Sequence, residues 1–367
     1  ISPPIANQVD TWIGSGDQRR LDEYYWIRDD SRTDPQVLGL LEAENDYTAQ
    51  VLAHTEKLQQ TLFEEITGRL TDSDMSVPVR NGPFFYVRRF NKGGEYPVYV
   101  RYPVAEPEAK QLLLDANSLS KGHDFYQLGN WKVSPNHQQI AYAEDTLSRR
   151  LFRVKIRDIA DQRDLVDTIT GAATSLAWSA DGHYLFYVRK HPQTLREHEV
   201  YRHTVGTSSD QDVLIYTEQD TAFSVSVSES RSKAFILIRH ESTDSTEVSV
   251  IPAGQPEAEI ETLLGREEKH EYRARHHDGY FYLLTNWQAS NFRLMRVAED
   301  QLNSIKAKFS NLDLGFVRGD HSNESTLKLA NLKEANSVIV ISDDSIPEDD
   351  DKTILTPPDF SIKLKYG

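Results

Sequence analysis

The sequence predicts a mainly β fold: an incomplete β-propeller of four to five blades, with an α-helical N-terminal extension before it and a short α/β half-Rossmann segment after it. Three observations predict this. Helical apolar spacing fills the first part of the chain, a strand-rich repeat of between 45 and 49 residues fills the middle, and one strand–turn–helix–strand passage lies near the end. The boundaries read as 1–76 for the extension and hinge, 77–296 for the partial propeller, 297–356 for the α/β segment and 357–367 for a tail.

The extension is helical from Asp34, which can cap, with Pro35 suited to a first turn. Val37, Leu38, Leu41, Tyr47, Val51 and Leu52 recur on one face, and Leu58, Leu62, Phe63, Ile66 and Leu70 form a second stripe. Such a pair must bury its stripe against something else. Beyond "RLTDSDMSV" (Arg69–Val77), "FFYVRRFNKGGEYPVYVRYPV" (Phe84–Val104) places two aromatic and β-branched runs around Gly93-Gly94, a hairpin signal.

The repeat then begins at Ser134, Ser179, Ser228 and His276, with starts 45, 49 and 48 residues apart. Each copy has a polar turn, an apolar strand, a variable loop and a second strand, the pattern of propeller blades. The alternative for such a pattern is an irregular β-sandwich. Trp131 and Trp178 fall at similar positions in their repeats and read as core. The last passage, "FVRGDHSNESTLKLANLKEANSVIVISDD" (Phe316–Asp344), reads as half of a nucleotide-binding unit.

Composition narrows the function. The chain has 367 residues, a net charge of −16 and no Cys, so disulfides and thiolate metal sites are excluded. Phosphate-backbone binding needs clustered Lys and Arg, so no nucleic-acid partner is expected. No apolar run approaches the ~20 residues of a membrane helix, so no membrane partner is expected and the location reads as cytoplasmic. The first residue is Ile, which reads as something other than a translation start. "SDDSIPEDDDK" (Ser342–Lys352) lacks the Gly and closing Glu of a calcium loop. His198 and His203 are five apart rather than four, so no metal is expected. With no Gly-Lys step a P-loop is excluded, and the "RGD" at Arg318–Asp320 reads as coincidence.

The stretches "DEYYWIRDDSRTDPQVLGLLEAENDY" (Asp22–Tyr47), "LFEEITGRLTDSDMSVPVRNGPFFYVRRF" (Leu62–Phe90), "NWKVSPNHQQIAYAEDTLSRRLFRVKIRDI" (Asn130–Ile159), "YVRKHPQTLREHEVYRHTVGT" (Tyr187–Thr207) and "LTNWQASNFRL" (Leu284–Leu294) resemble the N-terminal half of oligopeptidase B. That is a trypsin-like serine peptidase family within the prolyl oligopeptidases. The resemblance implies a hinge at Leu70, Thr71, Asp72, Ser73, Asp74, Met75, Ser76 and Val77, and a seven-bladed propeller over a C-terminal α/β-hydrolase domain. It also implies cleavage of short peptides after Arg or Lys. No G-x-S-x-G motif occurs: the one G-x-x-x-G pair, Gly315 and Gly319, encloses Val317. No catalytic residue is therefore assigned, no cofactor is expected, and Ser-His pairs read as turn contacts.

From Val297 the sequence resembles instead the middle of an RCK domain, the Rossmann-type regulator of potassium channels and transporters. That resemblance implies an acid at the end of the second strand, Glu299 or Asp300, and a Gly-Asp step, Gly319-Asp320, as ligand-binding residues. The glycine-rich first turn that would cradle phosphate is absent, and Pro357-Pro358 interrupts the next helix. The expected function is the non-catalytic, substrate-gating portion of an oligopeptidase B-like peptidase. An interaction scaffold and an RCK-like ligand sensor are the alternatives.

Overall fold

A computed structural model describes residues 1–71 and 74–300, together with the backbone of Ser310–Asn311. The chain divides into two compact units, Ile1–Asp72 and Ser73–Gly367.

In the first unit a short hairpin pairs Thr11–Ile13 with Arg20–Asp22. Two helices follow, α1 (Pro35–Leu52) and α2 (Glu56–Thr67). The start of α1 is fixed twice over. Asp34 accepts from Gln36 N at 2.8 Å, while Asp29 accepts from the backbone N–H of Ser31, Thr33 and Asp34 and thereby shapes the loop that delivers the cap. The hydrogen bonds from Asp34 and Ser31 hold the Asp29 carboxyl down at about 2.

The second unit is a succession of antiparallel sheets whose strands pair in chain order. The first blade is Val79–Asn81, Phe84–Phe90, Pro97–Pro103 and Gln111–Asp115. Second and third blades are fused into one seven-stranded sheet from Gln127–Val133 to Val213–Thr217. They share a 16-residue strand, Arg163–Trp178, whose first part pairs with Phe152–Asp158 and whose last part pairs with Tyr184–Lys190. Its pairing shifts around Gly171, whose φ of +69° lets the strand turn from one blade into the next. The fourth blade runs Ser224–Glu229, Phe235–Glu241, Thr246–Pro252 and Glu261–Leu264. The fifth runs Tyr272–His277, Tyr280–Thr285, Arg293–Ala298 and Ser310–Asn311. Five blades thus stand among the described residues, and the Gly93-Gly94 hairpin is where the sequence places it.

The repeat marks the turn between the first two strands of each blade. Ser134 and Ser179 are equivalent: each Oγ accepts from the N–H five residues on, Gln139 and Tyr184. In the fourth blade the equivalent residue is Ser230, whose Oγ accepts from Phe235 N, and not Ser228, so the sequence register was two residues early there. The fifth blade has no such serine. Asp278-Gly279, both at positive φ, close its hairpin between His277 and Tyr280.

Blade faces bury one another in sequence. Leu113, Leu114, Ile140 and Tyr142 join the first blade to the second; Phe152, Ile169, Leu176 and Tyr187 join second to third. Phe186, Val188, Val225 and Ile236 join third to fourth; Leu237, Val250, Tyr272 and Phe281 join fourth to fifth. Trp178 is core, at 1% exposure, and it also bridges three blades: Nε1 donates to Lys132 O and its N–H donates to Glu229 Oε1, each at 3.0 Å. Trp131 is half-buried, packed edge-on against Tyr99 and tilted against Tyr86.

One buried charge crosses the fused blades. His203 is fully enclosed between Asp167, at 2.7 Å from Nε2, and Asp212, at 2.6 Å from Nδ1. Burial opposes the imidazolium, but the two carboxylates outweigh it and raise His203 to about 9.

Two outcomes are expected. Trp178→Ala costs about 3–5 kcal/mol in urea unfolding, from the cavity and the lost bridges; a loss under about 1 kcal/mol contradicts its place at the junction. His203 is raised above its unfolded value, so its contribution is complete below about pH 6.5 and is lost as pH climbs through about 9. The protein should lose on the order of 3 kcal/mol between pH 6 and 10, and His203→Asn should flatten that slope.

Candidate functional site

The residues expected to form a hinge divide into two groups. Leu70 and Thr71 follow α2 and are exposed; Asp72 and Ser73 lie outside the described residues. Asp74, Met75 and Ser76 are bound to the first blade. Phe90 N donates to Asp74 O and Ser76 N to Arg88 O, each at 2.8 Å, and Met75 bridges Arg89. Val77 is exposed. The boundary between the two compact units falls at Asp72–Ser73, inside this stretch.

Glu299 does not end a Rossmann strand. Its N–H donates to Gly279 O at 2.9 Å and its carboxylate meets His276 Nε2 at 2.9 Å, both within the fifth blade, and the strand before it pairs with Ser310–Asn311. Asp300 is exposed beside it, and Gly319 and Asp320 lie outside the described residues. The sequence misled because "RVAED" closes a propeller strand as readily as an α/β strand. Only its partners decide.

His276 also meets Ser232 Oγ at 2.8 Å through Nδ1, completing a serine–histidine–glutamate chain across the fourth and fifth blades. Ser232 is occupied as a turn residue, bonded to Ser230 Oγ and accepting from Ala234 N. A hydrolytic serine requires in addition donors aimed at a developing oxyanion. This chain is a turn contact that fastens one blade to the next. A second cluster does similar work between the third and fourth blades. Although burial opposes it, hydrogen bonds led by Arg266 hold Glu218 below the usual carboxylate range, and burial lowers the neighbouring His240.

Two surfaces remain open. The first is apolar. No residue of α2 is buried, and Leu58, Leu62, Phe63 and Ile66 are all exposed, as are Leu38, Leu41, Val51 and Leu52 on α1. The stripe read from the sequence exists, and Val37 is its one buried member on α1.

The second is polar and lies where first-to-second-strand turns converge. Lys233, from the fourth blade, donates to Asn81 Oδ1 in the first at 2.8 Å. His137, from the second, packs against Gly82, where a Cβ would stand 2.7 Å from Nε2. Its Nδ1 meets Tyr86 OH at 3.0 Å, and its carbonyl accepts from Arg101 at 2.7 Å. Burial, then Lys233 and Arg101, push His137 below the usual histidine range. Sequence reading singled out none of these side chains. The available signal was the turn position that needs positive φ: it holds Gly182 in the third blade, but His137 and Lys233 in the second and fourth. Among the described residues no cluster of possible ligands suited to a metal ion occurs, and no helix is long and apolar enough to cross a membrane.

Comparison with known proteins accounts for this architecture. Residues 3–341 match the family described as prolyl oligopeptidase, N-terminal beta-propeller domain. That span takes in most of the segment that resembles an RCK domain, and the RCK resemblance gains no support. Among curated relatives, a dipeptidyl aminopeptidase BI of Pseudoxanthomonas mexicana is 37% identical over 81% of this chain and 43% of its own length. Protease 2 of Moraxella lacunata is 29% identical over 82% of this chain and 44% of its own. Oligopeptidase B from Leishmania major superposes with a TM-score of 0.77 at 25% identity, covering 84% of this chain and 46% of that one. The chain therefore spans less than half the length of the relatives it matches. It belongs to the prolyl oligopeptidase family, whose N-terminal propeller domain it comprises.

Proposed function

We propose that this chain is the substrate-screening part of a serine endopeptidase of the oligopeptidase B type. On this reading the propeller and helices cover an α/β-hydrolase domain that supplies nucleophile, base and oxyanion hole, and short peptides are cut after Arg or Lys. The carrying observation is the extent of the likeness: the propeller half of oligopeptidase B, at a TM-score of 0.77 and 46% of its length. The bare stripe of α2 adds to it, since an amphipathic helix without a covered face calls for a further surface.

A second reading concerns the substrate. The 37% identical relative is by name a dipeptidyl aminopeptidase, which favours removal of dipeptides from a free amino end.

The chain alone is expected not to hydrolyse an N-blocked, Arg-containing peptide amide; inhibitor-sensitive turnover by it overturns the screening role. With the hydrolase domain joined to it, cleavage of the blocked amide marks the endopeptidase. Cleavage confined to dipeptide amides with a free amine marks the second reading.

A further inference from the structure

We propose that the turn end of the first blade is an oxyanion site for the carboxylate of a peptide, built from Arg80, Lys233 and His137 around Asn81-Gly82. The first argument is charge. Arg80 Nε donates to Gly82 O at 3.3 Å, Lys233 to Asn81 Oδ1 at 2.8 Å, and Arg101 to the carbonyl of His137 at 2.7 Å. Two permanent cations thus meet the Asn81-Gly82 turn and a third binds the neighbouring turn of His137, in a chain of net charge −16. Among the described residues none of the three forms an ion pair. Several partly buried cations elsewhere are matched, Arg153 and Lys155 by Glu144, Arg157 by Asp164 and Arg266 by Glu218, whereas Arg196 is held by backbone carbonyls alone. Arg101, only 6% exposed, is held by Gln111 Oε1 at 2.8 Å, the His137 carbonyl and the Phe84 ring, so it adds positive potential from behind while Arg80 and Lys233 face the ligand.

The second argument is backbone conformation. His137 (φ +61°) and Lys233 (φ +60°) occupy the left-handed position of their turns, where the third blade uses Gly182. A side chain there costs roughly 1–3 kcal/mol, and such strain gathers at functional positions. Both side chains reach the same turn of another blade. Gly82 makes room for that approach, since a Cβ at its position would collide with the His137 ring.

The third is access. Arg80, Gly82 and Lys233 are exposed, so a ligand can approach the cations. The Arg80 fork suits two carboxylate oxygens, and Lys233 supplies a point charge. The oxyanion chemistry stands on this geometry; the peptide as its source rests on the peptidase reading.

The test is calorimetric titration of the chain at low ionic strength with a tetrapeptide acid, its C-terminal amide and inorganic phosphate. The acid is expected to bind, the amide at least tenfold more weakly, and Arg80→Gln with Lys233→Gln should weaken the acid at least tenfold with unchanged thermal unfolding. Equal binding of acid and amide, or indifference to the double variant, overturns the site. Phosphate binding as tight as the peptide acid overturns the peptide assignment. None of these outcomes depends on catalysis, so they stand apart from failure of the peptidase reading.

Discussion

Everything in the second unit depends on one constraint: each sheet has two apolar faces and must be covered on both. A free-standing antiparallel sheet can leave one face to water, with polar residues alternating along it. Here Phe186 and Tyr187, adjacent on one strand and therefore pointing to opposite sides, are both fully buried. Phe186 packs toward the fourth blade and Tyr187 toward the second. The blades are thus stable as a stack and not singly. The buried polar groups follow the same logic, since Trp178, His203 and Glu218 make bonds that join segments distant in sequence.

Much of this was legible because local physics repeats. The serine turns recur at nearly constant spacing, Asp34-Pro35 announces α1, and Gly93-Gly94 announces a hairpin. What failed was whatever depended on a partner. The fourth turn slipped by two residues because "SESRS" offers three serines, and only the hydrogen bond to Phe235 identifies Ser230. Glu299 carried a nucleotide-site reading until its bond to His276 placed it in a blade. Its neighbours in sequence could not have shown this.

The candidate site was less legible than the fold for the same reason. Arg80, His137 and Lys233 are far apart in sequence and belong to three blades, so no motif links them. The one visible trait of His137 and Lys233, a non-glycine residue at a left-handed position, emerges only when the repeats are aligned in the right register. A two-residue error in the fourth blade was enough to hide it.

The shared strand Arg163–Trp178 has a consequence for how such a succession of blades can be divided. Repeat arrays ordinarily tolerate loss or gain of whole repeats, because neighbours meet only through side chains. Here Ala172 pairs with Phe152 on one side and Arg189 on the other, so the main chain itself belongs to two repeats. The second and third blades therefore form one indivisible module of seven strands. A cut or insertion between them would take the shared strand from both blades, whereas the loops before Gln127 and after Thr217 separate whole sheets.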